Sequence, residues 1–150
     1  MKPIRLKQSG IALVEFALIL PLLLLLTFVT TEFGRALFQY NILTKSVRDG
    51  VRYLTPYNQG DTAKIAIAKN LVVYGSPTNT GAPLVIGLTT PMVSASWLQV
   101  GPAPTINTVT ITVTGYNFRP LLASAFGVSF ANANGNIPFA PISATMRAPL

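Results

Sequence analysis

The apolar residues of this chain are concentrated near its N-terminal end. From Ile11 to Val29 the only charged residue is Glu15. An α-helix rises about 1.5 Å per residue, so these 19 residues span about 28 Å, close to the thickness of the hydrocarbon core of a bilayer. The pattern predicts a membrane-spanning helix over residues 11–29.

This apolar run is too long for a secretory signal peptide. Such a peptide has an apolar region of about 7–15 residues followed by a cleavage site of small residues, and the sequence shows no such site after the run. We therefore expect the helix to be retained as a membrane span. Pro21 lies inside it and removes one backbone hydrogen bond, so we expect a bend or a local loosening there, which membrane helices tolerate.

A helical pattern continues beyond the apolar run, from Thr30 to Leu54. Residues spaced alternately four and three positions apart form one stripe along it. The stripe consists of Phe33, Leu37, Tyr40, Thr44, Val47, Val51 and Leu54. The spacing leaves two partners open for this stripe: the domain of the chain itself, or a helix of another subunit.

Two glycines and one possible ion pair lie in the same segment. Gly34 and Gly50 each weaken a helix by up to about 1 kcal/mol, but a residue this small also lets another backbone approach closely. Glu32 and Arg35 are three residues apart, so we expect them to pair across one turn of the helix.

A second, shorter helix is predicted after a break at residues 55–60, where the sequence is TPYNQG. Asp61 is a typical N-cap, the helix runs from Thr62 to Tyr74, and Gly75 is a typical stop. We expect one side of this helix to pack on the domain. That side consists of Ala63, Ala66, Ile67, Asn70, Leu71 and Tyr74.

The remainder of the chain is typical of β structure. Alternation of β-branched and polar residues is clearest in TVTITVTGYNF, which begins at Thr108. The predicted strands are Leu84–Leu88, Val93–Val100, Thr108–Phe118 and Ile142–Arg147. Residues 124–141 are rich in Gly, Asn, Ala and Pro, and we expect a long surface loop there. The predicted fold class is therefore α+β, with a long N-terminal helix, half transmembrane and half soluble, packed on a small domain that holds the second helix and an antiparallel sheet.

Composition excludes several classes of chemistry. The chain has no Cys and no His, so thiolate or histidine metal sites and histidine catalysis are impossible. Its four acids are Glu15, Glu32, Asp49 and Asp61. No phosphate-binding, dinucleotide-binding or hydrolase motif is present. We expect no enzyme activity, no cofactor and no metal.

The positive charge of the chain does not predict nucleic-acid binding. The formal net charge is +7, but the last 80 residues carry only Arg119 and Arg147 as charged groups. No basic patch with interleaved aromatic residues is present in that half. Lys2, Arg5 and Lys7 instead precede the apolar run, and such a cluster orients the N-terminus towards the cytoplasm.

Glu15 is the residue that most needs an explanation. An ionised carboxylate in a membrane helix costs about 2.5–3.5 kcal/mol on insertion scales. One explanation is that the side chain reaches the interface or is protonated. The other is that a protease cuts after Gly10, so that Ile11 carries a new α-ammonium group. Glu15 would then be the counter-ion of that group, in the same chain or in a neighbouring subunit.

Several short blocks together resemble one family. They are Gly10, VEFA at 14–17 followed by Pro21, EFGR at 32–35, RDGVRY at 48–53 and ISATMR at 142–147. With the basic stub before Gly10, they resemble the signal of type IV pilin-like proteins, and more specifically the TadE-like minor pilins, or pseudopilins, of tight-adherence (Flp-type) pilus systems. The resemblance covers about the first 55 residues well and the remainder in outline.

This resemblance implies a role in assembly or initiation of a type IV pilus. It implies that a prepilin peptidase cuts between Gly10 and Ile11, and that Glu15 becomes the fifth residue of the mature chain. The implied partners are that peptidase, other pilins and pseudopilins, the inner-membrane pilus platform and the lipid bilayer. The β-rich half is larger than that of the short major Flp pilins, which favours a minor, initiating or tip-associated subunit.

The resemblance also implies an organisation in four parts. Residues 1–10 would be the leader, 11–29 the transmembrane helix, 30–54 its soluble continuation and 55–150 an extracytoplasmic α+β domain. The protein would cross the bacterial inner membrane once. The alternative hypothesis is an unprocessed, single-pass membrane-anchored binding module or adhesin, whose residues 1–10 are only a cytoplasmic tail.

Overall fold

The computed structural model describes residues 9–102, 106–125 and 127–148. Residues 1–8 of the predicted leader, with Lys2, Arg5 and Lys7, lie outside the described residues. The fold is α+β, as predicted: a long N-terminal helix, a second helix and an antiparallel sheet of three strands.

Helix α1, Ser9–Leu54, is 46 residues long. It continues without interruption through Pro21, so the bend expected at that residue stays a prediction. Residues 10–31 are exposed apart from Leu25, which is half-buried. Among the described residues, α1 is the one helix long and apolar enough to cross a membrane, and none of its most apolar stretch is buried in the protein.

The second half of α1 packs against the domain. Leu43, Val47, Val51 and Leu54 are fully buried there, and Tyr53 is half-buried. The first members of the predicted stripe behave differently, because Phe33, Leu37 and Tyr40 are exposed. The stripe is thus split: its C-terminal part belongs to the core of the chain, and its N-terminal part is left open to another partner.

Helix α2, Thr62–Tyr74, has the predicted bounds and the predicted caps. The Asp61 carboxylate accepts a hydrogen bond from the backbone N–H of Lys64 at 3.1 Å, and Gly75 ends the helix at a φ of 68°. The predicted packing face was wrong. Ala68, Val72 and Val73 are the buried residues, whereas Ala63 and Ala66 are exposed.

The three-stranded sheet consists of β1 (Val93–Val100), β2 (Ile106–Val113) and a C-terminal strand, Ile142–Arg147. Its order places β2 in the centre, antiparallel to both neighbours. The register aligns apolar residues into rows on the face towards the helices. These rows are Val93–Val113–Ile142, Ala95–Ile111–Ala144 and Trp97–Val109–Met146. The opposite face carries mainly Ser and Thr, as the alternation in β2 predicted.

Four shorter strands lie between β2 and the C-terminal strand. They are β3 (Asn117–Phe118), β4 (Ser124–Ala125), β5 (Val128–Ser129) and β6 (Ile137–Pro138), which makes the C-terminal strand β7. β3 pairs with β6, and β4 pairs with β5. The surface loop predicted for residues 124–141 therefore contains one small antiparallel pair, β4–β5, and the strand β6, whose partner β3 lies before the loop.

Two predicted strands were wrong in part or in whole. Leu84–Leu88 forms no strand, because Gly87 adopts a φ of 88° and the chain turns back with a hydrogen bond from Leu88 N–H to the Val85 carbonyl. The predicted strand Thr108–Phe118 stops at Val113, since Gly115 at a φ of 73° turns the chain before β3. Both errors arise where a glycine in the left-handed region ends an otherwise β-like pattern.

Tyr116 joins α1 to the loops of the domain. Its ring is buried, and its hydroxyl lies 2.7 Å from Gln39 Oε1 on α1 and 3.1 Å from the Ile86 carbonyl, the two groups to which it donates. Burial raises the pKa of this hydroxyl above its ordinary value of 10.0, while the nearby Arg119 opposes part of the rise.

We expect Tyr116→Phe to lower the free energy of unfolding at neutral pH by about 1 kcal/mol, because two partly buried acceptors lose the donor that they share. The raised pKa adds an alkaline effect. The wild-type chain keeps this contribution below the unfolded-state pKa of 10.0 and loses it as the pH rises through the higher folded-state value. Urea unfolding of the full chain in detergent at pH 7 and above pH 10 measures both effects.

Tyr40→Phe is the matched control. Tyr40 also contacts the Phe139 ring, but its hydroxyl makes no hydrogen bond within the part of the chain that the structure describes. Its replacement should leave both the stability and the alkaline slope unchanged. Equal effects of the two variants would show that the Tyr116 hydroxyl does not join α1 to the loops.

Candidate functional site

The N-terminal end of α1 presents one carboxylate on an apolar surface. Glu15 lies on a shallow, open concavity with Gly10, Ile11, Val14 and Leu18. Ile11 and Glu15 are four residues apart, which is about 6 Å along the helix axis. Within the described ranges, no hydrogen bond or ion pair engages the Glu15 carboxylate. Gly10, Ile11 and Glu15 are thus exposed and line one concavity, whereas Pro21 lies further along the helix.

A second group of residues fixes the domain to α1 just beyond the predicted span. Arg35 donates from one guanidinium nitrogen to both carboxylate oxygens of Glu32, at 2.9 and 2.7 Å. Glu32 Oε1 also accepts a hydrogen bond from the backbone N–H of Leu121 at 3.1 Å. The ion pair predicted between Glu32 and Arg35 is confirmed, and it has a third member that lies 89 residues away in sequence.

Arg35 extends this connection to an aromatic ring. Its guanidinium carbon lies 5.5 Å from the centre of the Phe118 ring, within the range of a cation–π contact. We call Glu32, Arg35, Phe118 and the Leu121 N–H the helix–loop clamp. Glu32 is three residues beyond Val29, so the clamp sits about 4.5 Å along the axis from the end of the predicted span.

We expect Glu32→Gln to loosen the helix–loop clamp. The amide keeps the shape of the side chain but removes the charge that both Arg35 and the Leu121 N–H use, and hydrogen bonds to charged groups are worth about 1.5–3 kcal/mol. The Arg35 side chain is one-third exposed, so solvent screening puts the expected loss of stability near 1 kcal/mol. Amide hydrogen exchange at Leu121 should become faster, while exchange in α2 stays unchanged.

Asp49→Asn provides the matched control for that exchange experiment, because Asp49 is an exposed acid on the same helix. It should leave exchange at Leu121 at the wild-type rate. The clamp would be contradicted if both variants, or neither, accelerated exchange there.

An apolar groove opens beside the helix–loop clamp. It has a volume of about 340 Å³ and lies between α1 and the segments that carry β3, β5 and β6. The lining from α1 begins within the predicted span, at Phe28 and Val29. The lining from the domain consists of Phe118, Pro120, Leu122, Phe130, Ile137 and Phe139. The groove therefore lies at the level where the predicted membrane helix emerges.

The RDGVRY block at residues 48–53 has a packing role. A Cβ atom placed on Gly50 would lie 2.6 Å from Val72 Cγ2 and 3.1 Å from Ile111 Cδ1, so only glycine allows this approach of α1 to α2 and the sheet. Gly34, in the EFGR block, has no atom within 4 Å of the same position. The close packing considered for both glycines thus holds for Gly50 alone.

The four acids are dispersed over the molecule. Glu15 lies on the apolar part of α1, Glu32 is in the clamp, Asp49 is exposed and Asp61 caps α2. Over the described ranges, no three acids come close enough to hold a metal ion. A small cavity of about 100 Å³ is lined by polar groups that include Trp97 and Asn107, whose buried Nε1 and Oδ1 atoms have no protein partner there. A bound water suits such a donor and acceptor.

Comparison with protein families supplies the remaining observation. Residues 10–52 match the model of the family described as TadE-like protein. The long helix is TadE-like. This match confirms the resemblance for the blocks in α1, and it ends two residues before α1 does. The block at residues 142–147 lies outside it. No significant match was found to a curated protein or to a solved structure.

The match covers 43 of the 150 residues of the chain, all of them in α1. It covers Gly10 and Glu15, both residues of the ion pair in the clamp, and Gly50. The sheet and its loops lie outside the match. Sequence reasoning missed the Leu121 N–H and the apolar groove, since both depend on contacts between distant segments that leave no local signal.

Proposed function

We propose that the protein is a minor pilin, or pseudopilin, that takes part in assembly or initiation of a tight-adherence type IV pilus. The observation that carries this proposal is the TadE-like match over residues 10–52, which covers a helix whose first 20 residues bury almost nothing in their own domain. A long apolar surface without a partner inside the chain suits two successive environments. The first is a bilayer and the second is a bundle of pilin helices.

We further propose that a prepilin peptidase cuts between Gly10 and Ile11. Both residues are exposed on one side of α1. Cleavage would create an α-ammonium group at Ile11 about 6 Å along the axis from Glu15. A charge pair of this kind makes both groups tolerable in an apolar environment, whereas either alone is costly there. The carboxylate of Glu15 would thus serve as the counter-ion of the new N-terminus during assembly.

The proposed organisation follows the four parts expected from the sequence. Residues 1–10 form the leader, 11–29 the inner-membrane span, 30–54 its soluble continuation and 55–150 the extracytoplasmic domain. The N-terminus faces the cytoplasm before cleavage. The proposed partners are the prepilin peptidase, other pilins and pseudopilins of the same system, and the inner-membrane pilus platform.

Replacing Gly10 tests this proposal in cells that make the pilus. We expect Gly10→Leu to block cleavage, so that the chain stays ten residues longer, remains in the membrane fraction and no longer supports wild-type numbers of pili. Gly34→Leu changes the same residue type at an exposed position on the same helix and should be processed normally. Normal pilus numbers with uncleaved Gly10→Leu would favour the unprocessed anchored binding module.

A further inference from the structure

The loop that holds Leu121 and strand β5 each carry an apolar side chain that the described residues leave exposed. Leu121 is 76% exposed, and Val128 in β5 is 46% exposed. Together with Pro120, Leu122 and Phe130, which line the groove, these residues form what we call the apolar lip. Two exposed apolar residues beside a groove lined by half-buried ones form an apolar surface of the kind that contacts a protein or a membrane.

The contact between the apolar lip and α1 fixes the position of the lip relative to the proposed membrane span. The Leu121 N–H donates to Glu32, so the lip is held at the level of a residue only about 4.5 Å beyond the proposed span. The groove next to it reaches Phe28 and Val29, inside the span. With residues 11–29 in the bilayer, as proposed, the lip would lie at the depth of the lipid headgroups, where apolar and aromatic residues of surface-bound proteins are inserted.

Charge around the apolar lip suits an anionic lipid surface. Arg119 is exposed two residues before Leu121, and Arg35 is partly exposed beside it. The acid at this level, Glu32, is paired with Arg35. Beyond Asp61 the sequence has no acid at all. The lip, which contains no acid, can thus approach phosphate headgroups without repulsion from a carboxylate of its own.

We propose that the apolar lip inserts into the outer interface of the bilayer, with lipid acyl chains filling the groove between α1 and the lip. This inference rests on the proposed membrane span and adds a second membrane contact to it. The domain would then contact the membrane surface directly. Leaving the membrane for a pilus would exchange the lipid in the groove for another surface.

The chain offers a clean way to measure this contact, because it contains no cysteine. Single variants Leu121→Cys, Ile86→Cys and Leu18→Cys each give one site for an environment-sensitive fluorophore. Ile86 is the matched control. It is 74% exposed, but its carbonyl is held at the level of Gln39, about 15 Å beyond Val29. Leu18 reports on the span itself.

The full chain is reconstituted in vesicles of phosphatidylethanolamine and phosphatidylglycerol. Their lipids carry a quencher near the headgroup for residues 121 and 86, and in the middle of the acyl chain for residue 18, which lies deep in the proposed span. We expect at least about threefold more quenching at residue 121 than at residue 86, since an inserted residue lies within about 5–10 Å of the headgroup boundary. Iodide in the water should quench residue 86 and not residue 121. Unchanged circular dichroism shows that each labelled chain is folded.

Three other results would overturn the inference in different ways. Quenching of residue 121 by iodide and not by lipid would place the lip in water. Protection of residue 121 from both quenchers would show that a second copy of the chain covers it. Absence of lipid quenching at residue 18 would contradict the proposed span and the proposed function with it. Lipid quenching at residue 18 but not at residue 121 would support the span and refute only the inserted lip.

Discussion

Replacing Glu15 with alanine is expected to abolish assembly while leaving the protein in the membrane. The α-ammonium group that the proposed cleavage would create at Ile11 would lose its counter-ion in an apolar environment. Removal of one member of a buried ion pair costs about 3–5 kcal/mol, and about 3 kcal/mol already weakens an association more than 100-fold. Pili sheared from cells should fall to background, while an immunoblot of membranes shows the wild-type amount of protein.

Two further variants at the same position separate charge from shape. Glu15→Gln keeps the size of the side chain without its charge, and we expect it to fail as alanine does. Glu15→Asp keeps the charge on a shorter side chain and should retain part of the assembly. Wild-type pili from the alanine variant would refute the counter-ion role. Glu15 would then be explained by protonation or by reaching the interface.

A methyl group added at Gly50 is expected to destabilise the domain. The new Cβ would lie 2.6 Å from Val72 Cγ2, and Val72 is fully buried with a stiff, branched side chain. Overpacking of this kind costs about 1–3 kcal/mol, and the better helix propensity of alanine returns up to about 1 kcal/mol. We expect Gly50→Ala to lower the free energy of unfolding by about 1–2 kcal/mol. Urea unfolding of the full chain in detergent, followed by the fluorescence of the sole tryptophan, Trp97, measures it.

Gly34→Ala is the control on the same helix. Nothing lies within 4 Å of its added Cβ, so helix propensity alone should act and stability should rise by up to about 1 kcal/mol. In a Val72→Ala background the 2.6 Å contact is gone and only the 3.1 Å approach to Ile111 Cδ1 remains, so Gly50→Ala should destabilise the domain much less. Stabilisation by Gly50→Ala in the wild-type background would mean that α1 and α2 are not closely packed at this position.

Signals that depend on a few neighbouring residues predicted the fold well. The bounds of α2 followed from Asp61 and Gly75, because helix caps are local. The bounds of β1 and β7 and the buried face of β2 followed from the alternation of residues along each strand. The end of α1 at Leu54 followed from the break at residues 55–60.

Features that depend on distant segments were harder to predict. The buried face of α2 was wrong because its sequence, TAKIAIAKNLVVY, is apolar on most sides, so its partners and not its pattern choose the face. The predicted apolar stripe on α1 is buried where the domain covers it, but its residues Phe33 and Leu37 are exposed. The hydrogen bond between Glu32 and Leu121 joins segments 89 residues apart, for which spacing gives no signal.

The candidate site was likewise predictable only where its residues are close in sequence. Gly10, Ile11 and Glu15 are neighbours on one helix, so sequence spacing was enough to bring them together. Their place in the wider molecule was not predictable, because the level of the domain along α1 is set by the helix–loop clamp. That level brings the apolar lip to the end of the proposed span.

The mature N-terminus of the protein in its native membrane tests the central claim most directly. Mass spectrometry of the purified full chain locates it without a mutation. We predict that the chain starts at Ile11, which places Glu15 fifth and gives it a cation to pair with. A chain that starts at Met1 would contradict the account. It would leave Glu15 without a counter-ion and make the membrane-anchored binding module the better explanation.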